Sequence, residues 1–222
     1  MFMDLAIAAA LLVIPLALSA VACGAPHPAR EPQPWRAPSA GGETAPRAGD
    51  EVASRTLQWE VAVPRARYVR EFLATDLRVF LPGTKKLPGV VRTEAVTTAA
   101  YPAVGSVRRV VLEDGNSAEE EVLGQDEAHL KYLVARYTSP QAAPIAYGVG
   151  EFTFDDAGLG GTRITWTYSF KLRGDRFPGT WGALGRTFFR IGFLNSDYAD
   201  FMSTGREAMR SWAERLASVP GS

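Results

Sequence analysis

Residues 162–172, with the sequence TRITWTYSFKL, alternate between apolar and polar side chains along their whole length. Successive side chains of a β-strand point to opposite faces, so this alternation is typical of a strand. The apolar face would carry Ile164, Trp166, Tyr168, Phe170 and Leu172. One buried and one solvated face is the usual condition of an antiparallel sheet. The stretch therefore predicts an antiparallel sheet that is covered on one side.

The period of the pattern changes after this strand. Between residues 181 and 216, large apolar side chains recur three or four residues apart, which is the spacing of one helix face. The stripe consists of Trp181, Leu184, Phe188, Ile191, Leu194, Tyr198, Phe201, Met202, Met209, Trp212 and Leu216. An unbroken helix over this range would have about ten turns. We therefore expect a long C-terminal helix to cover the sheet.

The segments that precede residue 162 read as further strands and a short helical region. Residues 56–63 alternate like a half-buried strand, and residues 65–80 have interrupted helical spacing, which predicts one broken helix or two short ones. Strand patterns follow at residues 90–98, 107–112, 118–123, 129–137 and 146–154. This order of elements predicts an α+β fold with helices at one side of an antiparallel sheet.

The first 23 residues differ from the rest of the chain. Residues 5–22, LAIAAALLVIPLALSAVA, carry no charge and predict a segment in or passing through a membrane. The sequence SAVAC at 19–23 resembles a bacterial lipobox, with Cys23 as the lipidated residue, although Asp4 stands where such signals are positively charged. An uncleaved transmembrane helix interrupted by Pro15, a cleaved secretory signal, and a misplaced start ahead of a cytosolic protein are the alternatives. We expect a membrane-anchored protein of the cell envelope, and place the lipoprotein first.

Residues 24–51 predict a linker. Residues 24–50 contain six prolines and one large apolar residue, Trp35, so they cannot build a core. Such a composition favours an extended, largely disordered spacer. Residues 52–218 remain as one folded domain, which is long enough to bury a substantial core.

The composition excludes several classes of function. The 24 basic and 24 acidic residues cancel, so no basic field attracts nucleic acid. The single cysteine, Cys23, excludes an internal disulfide and a multi-cysteine metal site. His27 lies in the linker, which leaves His129 as the one histidine available for a catalytic triad. Glycine-rich phosphate loops do not occur, and we expect no cofactor and no metal.

A predicted hairpin brings opposite charges together. If Asp114 and Gly115 are the two central residues of its turn, Arg108 lies opposite Glu121 and Arg109 opposite Glu120. The pair that faces inward would lie among apolar walls and could orient a carbonyl or hydroxyl group of a ligand. Ordinary cross-strand contacts are the alternative for both pairs.

Three segments together resemble a known superfamily. They are GSVRRVVLEDGNSAEEEVLGQDEAHLKYLV at 105–134, GTRITWTYSF at 161–170 and YADFMSTGREAMRSWAE at 198–214. Their order and spacing are similar to the START-like (SRPBCC) superfamily of polyketide cyclases, lipid-transfer domains and pollen-allergen proteins, over about residues 56–216. The resemblance implies the helix-grip fold: a curved antiparallel sheet of six to seven strands, with two short helices after the first, wraps around a long C-terminal helix. It also favours Arg108 and Glu121 as the inward pair.

The superfamily resemblance implies a cavity between sheet and helix for a lipid, isoprenoid, quinone, sterol or polyketide. We expect the chain to bind and carry such a hydrophobic molecule at a membrane reached through its N-terminal segment. The predicted ligand-binding residues are Arg108, Glu121, Tyr132, Trp166, Tyr168, Phe170, Phe188, Ile191 and Tyr198. A cyclase or dehydratase acting on a bound carbonyl compound is one alternative. A protein-interaction module without a small ligand is the other.

Overall fold

The computed structural model describes Pro46 and residues 49–219. The predicted membrane segment, its Cys23 and nearly all of the predicted linker lie outside these residues. Within the part of the chain that is described, no helix is both long and apolar enough to span a membrane.

Seven strands form one antiparallel sheet in the order β1-β7-β6-β5-β4-β3-β2. They are β1 Ala53–Val61, β2 Val90–Ala95, β3 Val107–Leu112, β4 Ser117–Gln125, β5 His129–Ala135, β6 Ile145–Ala157 and β7 Gly161–Leu172.

The helices lie in two regions of the chain. Between β1 and β2 lie helix α1, Arg65–Ala74, and a 3-10 turn, Leu77–Val79, which confirms the two short helices after the first strand. The C-terminal region follows β7. It contains a 3-10 turn Gly179–Trp181, helix α2 Gly182–Phe189, a π-helical turn Arg190–Leu194 and helix α3 Asp197–Ser218. A seven-stranded antiparallel sheet with a long C-terminal helix confirms the predicted fold class.

Strand β7 lies between β1 and β6 and has the two faces that its sequence predicts. The predicted apolar set, from Ile164 to Leu172, is buried, with exposures of 0% to 6%. Side chains of the polar face form hydrogen bonds with the neighbouring strand β1: the hydroxyl groups of Thr167 and Thr56 lie 2.9 Å apart. Each large apolar side chain that is fully buried stabilises the fold by about 1.5–3 kcal/mol. The inner face of β7 is therefore a large part of the core.

An aromatic cluster joins the sheet to the helices. The Trp166 ring of β7 stacks on Phe152 of β6, with centroids 5.1 Å apart. Phe72 of α1 lies 5.1 Å from Phe152 and 5.0 Å from Phe80. Phe80 in turn contacts Trp212 of α3 edge to face at 5.2 Å. These contacts hold α1 and α3 against the same part of the sheet.

The C-terminal helical region is not continuous, so the stripe does not form the helix of about ten turns that it would form if unbroken. The backbone at Asn195 and Ser196 leaves helical geometry, with φ −94° and −120°, and separates α3 from the elements before it. The predicted stripe faces outward in α2 and is mainly buried in α3. The change comes within the π-helical turn, where Ile191 is 66% exposed and Leu194 is 0% exposed. Phe188 is 50% exposed, whereas its neighbour Phe189 is 9% exposed.

The β3–β4 hairpin differs from the sequence prediction by one residue. Gly115 has φ +80°, and its amide donates to the Leu112 carbonyl at 3.0 Å, so residues 113–115 form a three-residue loop. The extra loop residue shifts the register. Arg108 consequently lies opposite Glu120, and Arg109 opposite Glu119. The predicted pairs of Arg108 with Glu121 and of Arg109 with Glu120 are therefore wrong.

The folded domain begins before residue 52, because Asp50 and Glu51 are tied to it. The Asp50 carboxylate accepts a hydrogen bond of 2.6 Å from Tyr147 and lies 2.9 Å from Lys171 Nζ. Glu51 lies 2.7 Å from Arg186 Nη1. These contacts attach Asp50 and Glu51, the last two residues of the predicted linker, to the folded domain.

We expect a chain that begins at Gly49 to unfold in one cooperative transition, because the core residues lie between Ala53 and Ala213. A chain that begins at Val52 loses the Asp50 carboxylate, which accepts from the Tyr147 hydroxyl and lies 2.9 Å from Lys171 Nζ. Its free energy of unfolding should be lower by about 1–3 kcal/mol. Urea denaturation of the two chains measures the difference, and equal midpoints would show that Asp50 and Glu51 lie outside the folded unit.

Candidate ligand-binding cavity

A cavity of about 370 Å³ lies between the inner face of the sheet and the helices. Its volume is within the range of roughly 300–1,000 Å³ that is usual for small-molecule sites. Its walls are mainly aromatic and aliphatic. Strands β3 to β7 form one wall, the segment from Phe72 to Val90 forms a second, and residues 189–209 form a third.

Six of the nine predicted binding residues line this cavity: Arg108, Tyr132, Trp166, Tyr168, Phe170 and Tyr198. The other three do not. Glu121 lies on the outer face of β4, because the register shift places Glu120 inside. Phe188 and Ile191 lie in residues 182–194, which comprise helix α2 and the π-helical turn and which we call the α2 region. They are 50% and 66% exposed on its outer side.

Several lining residues were missed by the sequence prediction. Glu120 and Tyr101 lie at the polar part of the wall, and Phe189 and Phe193 close it beside α2. The Asp-Gly pair also fits a three-residue turn, so Glu120 could have been weighed against Glu121. Tyr101 follows no periodic pattern, since it lies in the loop between β2 and β3.

The polar part of the wall is a buried ion pair. Arg108 donates two hydrogen bonds to Glu120, from Nε at 2.9 Å and from Nη2 at 2.6 Å. Their side chains are only 11% and 6% exposed. Both bonds end on Glu120 Oε1, so Oε2 has no hydrogen-bond donor among the residues that the structure describes. An oxygen-bearing ligand can therefore meet an acceptor and a cation at the same place.

Tyr101 covers the guanidinium group. Arg108 Cζ lies 3.7 Å from the centroid of the Tyr101 ring, which is a close cation–π contact. Burial lowers the pKa of Arg108, but the charge of Glu120 and its hydrogen bonds outweigh this effect and raise the pKa above its ordinary value. The cavity thus holds a permanent positive charge next to a carboxylate.

Three tyrosine hydroxyl groups add neutral polar atoms to the apolar wall. Burial raises the pKa values of Tyr132, Tyr168 and Tyr198 well above their ordinary value. Their hydroxyl groups stay protonated at physiological pH, and each can donate or accept a hydrogen bond. The rings form a connected group, with centroids 6.3 Å apart for Tyr132 and Tyr168 and 5.1 Å apart for Tyr168 and Tyr198.

Two glycines of β6 make room for these rings. A Cβ atom at Gly148 would lie 2.6 Å from the Tyr168 ring, and one at Gly150 would overlap the Tyr132 ring. Both distances are shorter than a nonbonded contact allows. The two tyrosine rings can therefore lie flat against the backbone of β6, and the space above them belongs to the cavity.

The corrected pairing makes a direct prediction. Glu120→Gln leaves the Arg108 charge buried without its partner and should lower the free energy of unfolding by about 3–5 kcal/mol. Glu121→Gln, one residue away on the outer face, should change it by less than about 0.5 kcal/mol. The double change Arg108→Met with Glu120→Leu removes both charges and should stay within about 1 kcal/mol of the unchanged chain.

Urea unfolding followed by tryptophan fluorescence compares the four chains. If Glu121→Gln destabilised the protein more than Glu120→Gln, the hairpin register described here would be wrong.

Comparison with known proteins finds similarity in structure only. No family model matches the sequence, and no curated protein matches it. Among solved structures, the Zhui aromatase/cyclase from Streptomyces sp. R1128 aligns with TM-score 0.55 and 20% identity, over 77% of this chain and 99% of that one. Ara h 8.0201 aligns with TM-score 0.52 and 16% identity, over 74% and 99%. Norcoclaurine synthase from Thalictrum flavum aligns with TM-score 0.52 and 12% identity, over 77% and 89%.

These identities are too low to transfer an activity, but the alignments cover nearly the whole of each neighbour. At the level of the fold, the resemblance inferred from the sequence is confirmed: the chain has the helix-grip fold.

Proposed function

We propose that this protein binds a hydrophobic small molecule that carries a carbonyl or hydroxyl group, and that it carries the molecule without changing it. The observation that supports this most is the cavity of about 370 Å³, whose apolar walls surround one buried ion pair. Polyketides, quinones and isoprenoid alcohols have the required chemistry: an extended apolar body with one or a few oxygens.

The apolar walls supply most of the binding free energy, and the Arg108–Glu120 ion pair orients the ligand. Apolar contact area contributes roughly 25 cal/mol per Å², so a largely enclosed ligand gains most of its binding free energy from the aromatic walls. A ligand oxygen placed near Arg108 would accept from the guanidinium group, and a ligand hydroxyl could donate to Glu120 Oε2. A fully apolar ligand would leave this end unsatisfied, which disfavours plain hydrocarbons.

The available groups favour binding over acid–base catalysis. A general base needs a lone pair near the substrate proton and a pKa near the working pH. The tyrosines have pKa values raised well above their ordinary value, so they are not bases at neutral pH. Glu120 already neutralises Arg108 through two hydrogen bonds. This set holds and orients a molecule more readily than it removes a proton from one.

The fold neighbours support a small-molecule function of the cavity. One norcoclaurine synthase structure, with TM-score 0.52 and 14% identity, holds a transition state analogue.

The N-terminal apolar run adds a second element to the proposal. A lipidated Cys23 or a membrane-spanning segment would keep the domain close to a bilayer, where sparingly soluble molecules are concentrated.

The proposal predicts a bound molecule of this class in the native protein. The full chain, extracted from its own host in mild detergent, should show by native mass spectrometry a mass excess that extraction identifies as an apolar oxygen-bearing compound. Incubation should return the compound unchanged. Conversion of the compound, slowed by roughly 10²-fold or more in the Arg108→Met, Glu120→Leu variant, would show a catalyst instead of a carrier.

A neutral fluorescent probe, N-phenyl-1-naphthylamine, tests the site itself. Phe189→Ala removes part of the cavity wall and should weaken probe binding about tenfold, roughly 1.4 kcal/mol. Phe188→Ala, a matched change on the outer face, should leave the affinity within about twofold. Ala142→Trp places a large ring in the cavity without removing a core contact and should also weaken binding. Equal affinities in all four proteins would exclude the cavity as the binding site.

A further inference from the structure

The α2 region has apolar side chains on two opposite sides. On the inner side, Phe189 and Phe193 line the cavity and lie 5.6 Å and 5.9 Å from the Phe170 ring. On the outer side, Phe188 and Ile191 are at least half exposed. A helix that is apolar all round is normally buried in protein or in a membrane. The outer side therefore needs its own explanation.

The outer side forms one continuous surface, which we call the outer α2 patch. It consists of Phe177, Trp181, Leu184, Phe188 and Ile191, which are 61%, 54%, 56%, 50% and 66% exposed. The rings touch one another: Phe177 and Trp181 are 5.1 Å apart, and Trp181 and Phe188 are 5.9 Å apart. Contiguous exposed apolar surface of this kind marks an interaction site.

The segment that carries the patch is rich in arginine. Residues 173–194 contain four arginines and a single acidic residue, Asp175, although the whole chain is neutral. Arg173 lies 3.1 Å from Asp175, and Arg186 lies 2.7 Å from Glu51. Arg176 and Arg190 are exposed. Four arginines against two carboxylates give this part of the surface a net charge of +2.

We propose that the outer α2 patch docks onto a lipid bilayer that contains anionic headgroups. Tryptophan and phenylalanine are favoured at the membrane interface, where their rings enter the boundary between headgroups and acyl chains. Arginines at the same level attract anionic lipids, each by about 1 kcal/mol. Residues 176–191 combine both features, since the exposed Arg176 and Arg190 directly precede the patch residues Phe177 and Ile191 in the chain. The predicted membrane segment at residues 5–22 would keep a bilayer within reach of the domain.

Docking would bring the cavity to the membrane. Phe188 and Phe189 are consecutive, so the helix that enters the interface is also the helix that closes one side of the cavity. The distance from bilayer to cavity is then about one helix diameter, roughly 10 Å. A ligand could pass between them without crossing bulk water. The docking step itself does not depend on the proposed cargo, since it uses only the outer side chains.

The test uses the full chain with Cys23→Ser, so that an introduced cysteine is the only thiol. A nitrobenzoxadiazole dye is attached at Leu184→Cys in the patch, and in a second protein at Val104→Cys. Val104 is 62% exposed and lies in the loop between β2 and β3. With vesicles of phosphatidylcholine and phosphatidylglycerol, the dye at 184 should shift to the blue and be quenched by brominated acyl chains. The dye at 104 should not respond, although both proteins share the same N-terminal segment.

The charges are tested by Arg176→Ala with Arg190→Ala. At about 1 kcal/mol for each cation, the ratio of docked to undocked label should fall roughly 30-fold. Vesicles of phosphatidylcholine alone or high salt should have a similar effect. Three outcomes would overturn the proposal: no shift at 184, an equal shift at 104, or a shift without vesicles that grows with protein concentration, which would show that a second copy covers the patch. Probe binding to the cavity, measured without vesicles, reports separately on the proposed cargo function.

Discussion

The contact of α3 with Trp166 sets the distance between the helix and the sheet. A Cβ atom at Gly205 would lie 3.4 Å from the Trp166 ring and 3.2 Å from the Phe80 carbonyl oxygen. The glycine thus lets the helix backbone approach the ring closely. Trp166 is itself held by its stack on Phe152. A Cβ atom at 205 would crowd the Phe80 carbonyl oxygen by a few tenths of an ångström, and a side chain larger than alanine would also press on the Trp166 ring.

The cavity follows from this fixed contact. Register shifts in β4, at Val122 and Gly124, and in β6, at Ile145 and Tyr147, mark bulges that bend their strands. A straight helix that is held at one place cannot follow a bent sheet along its whole length. Space remains beside the contact, and the glycines at 148 and 150 enlarge it by letting two tyrosine rings lie close to β6.

The ion pair in this space costs stability, which argues for a role other than packing. Moving two charges out of water is expensive, and a well-packed apolar pair of similar size would serve the fold equally well or better. Arg108 and Glu120 nevertheless lie at the cavity wall with two hydrogen bonds between them. A ligand whose oxygen forms a hydrogen bond with Arg108 or Glu120 would offset part of this desolvation free energy on binding.

The sequence predicted the sheet well because its signals are local. The alternation in β7 and the succession of strands along the chain follow from side-chain period alone, and both are confirmed. The register of the β3–β4 hairpin depends on the turn type. A two-residue type I′ turn needs a positive φ at both Asp114 and Gly115, whereas here Gly115 has one and Asp114 does not, which composition does not reveal. The turn type decides whether Glu120 or Glu121 faces the cavity. Tyr101 lies in a loop and could be placed only by the three-dimensional structure.

The assignment of Phe188 and Ile191 to the cavity was wrong for a different reason, and this reason bears on function. The pattern from residue 181 to residue 216 assumes that every large apolar residue faces the core. In α3 this holds, since Met202 and Met209 are buried. In helix α2 and the π-helical turn after it both sides are apolar, and the stripe changes from outward to inward within that turn, between Ile191 and Leu194. A periodic analysis cannot separate an apolar surface that meets the core from one that meets a membrane. The side chains that the sequence wrongly assigned to the cavity, Phe188 and Ile191, are therefore the ones that carry the proposal for membrane docking.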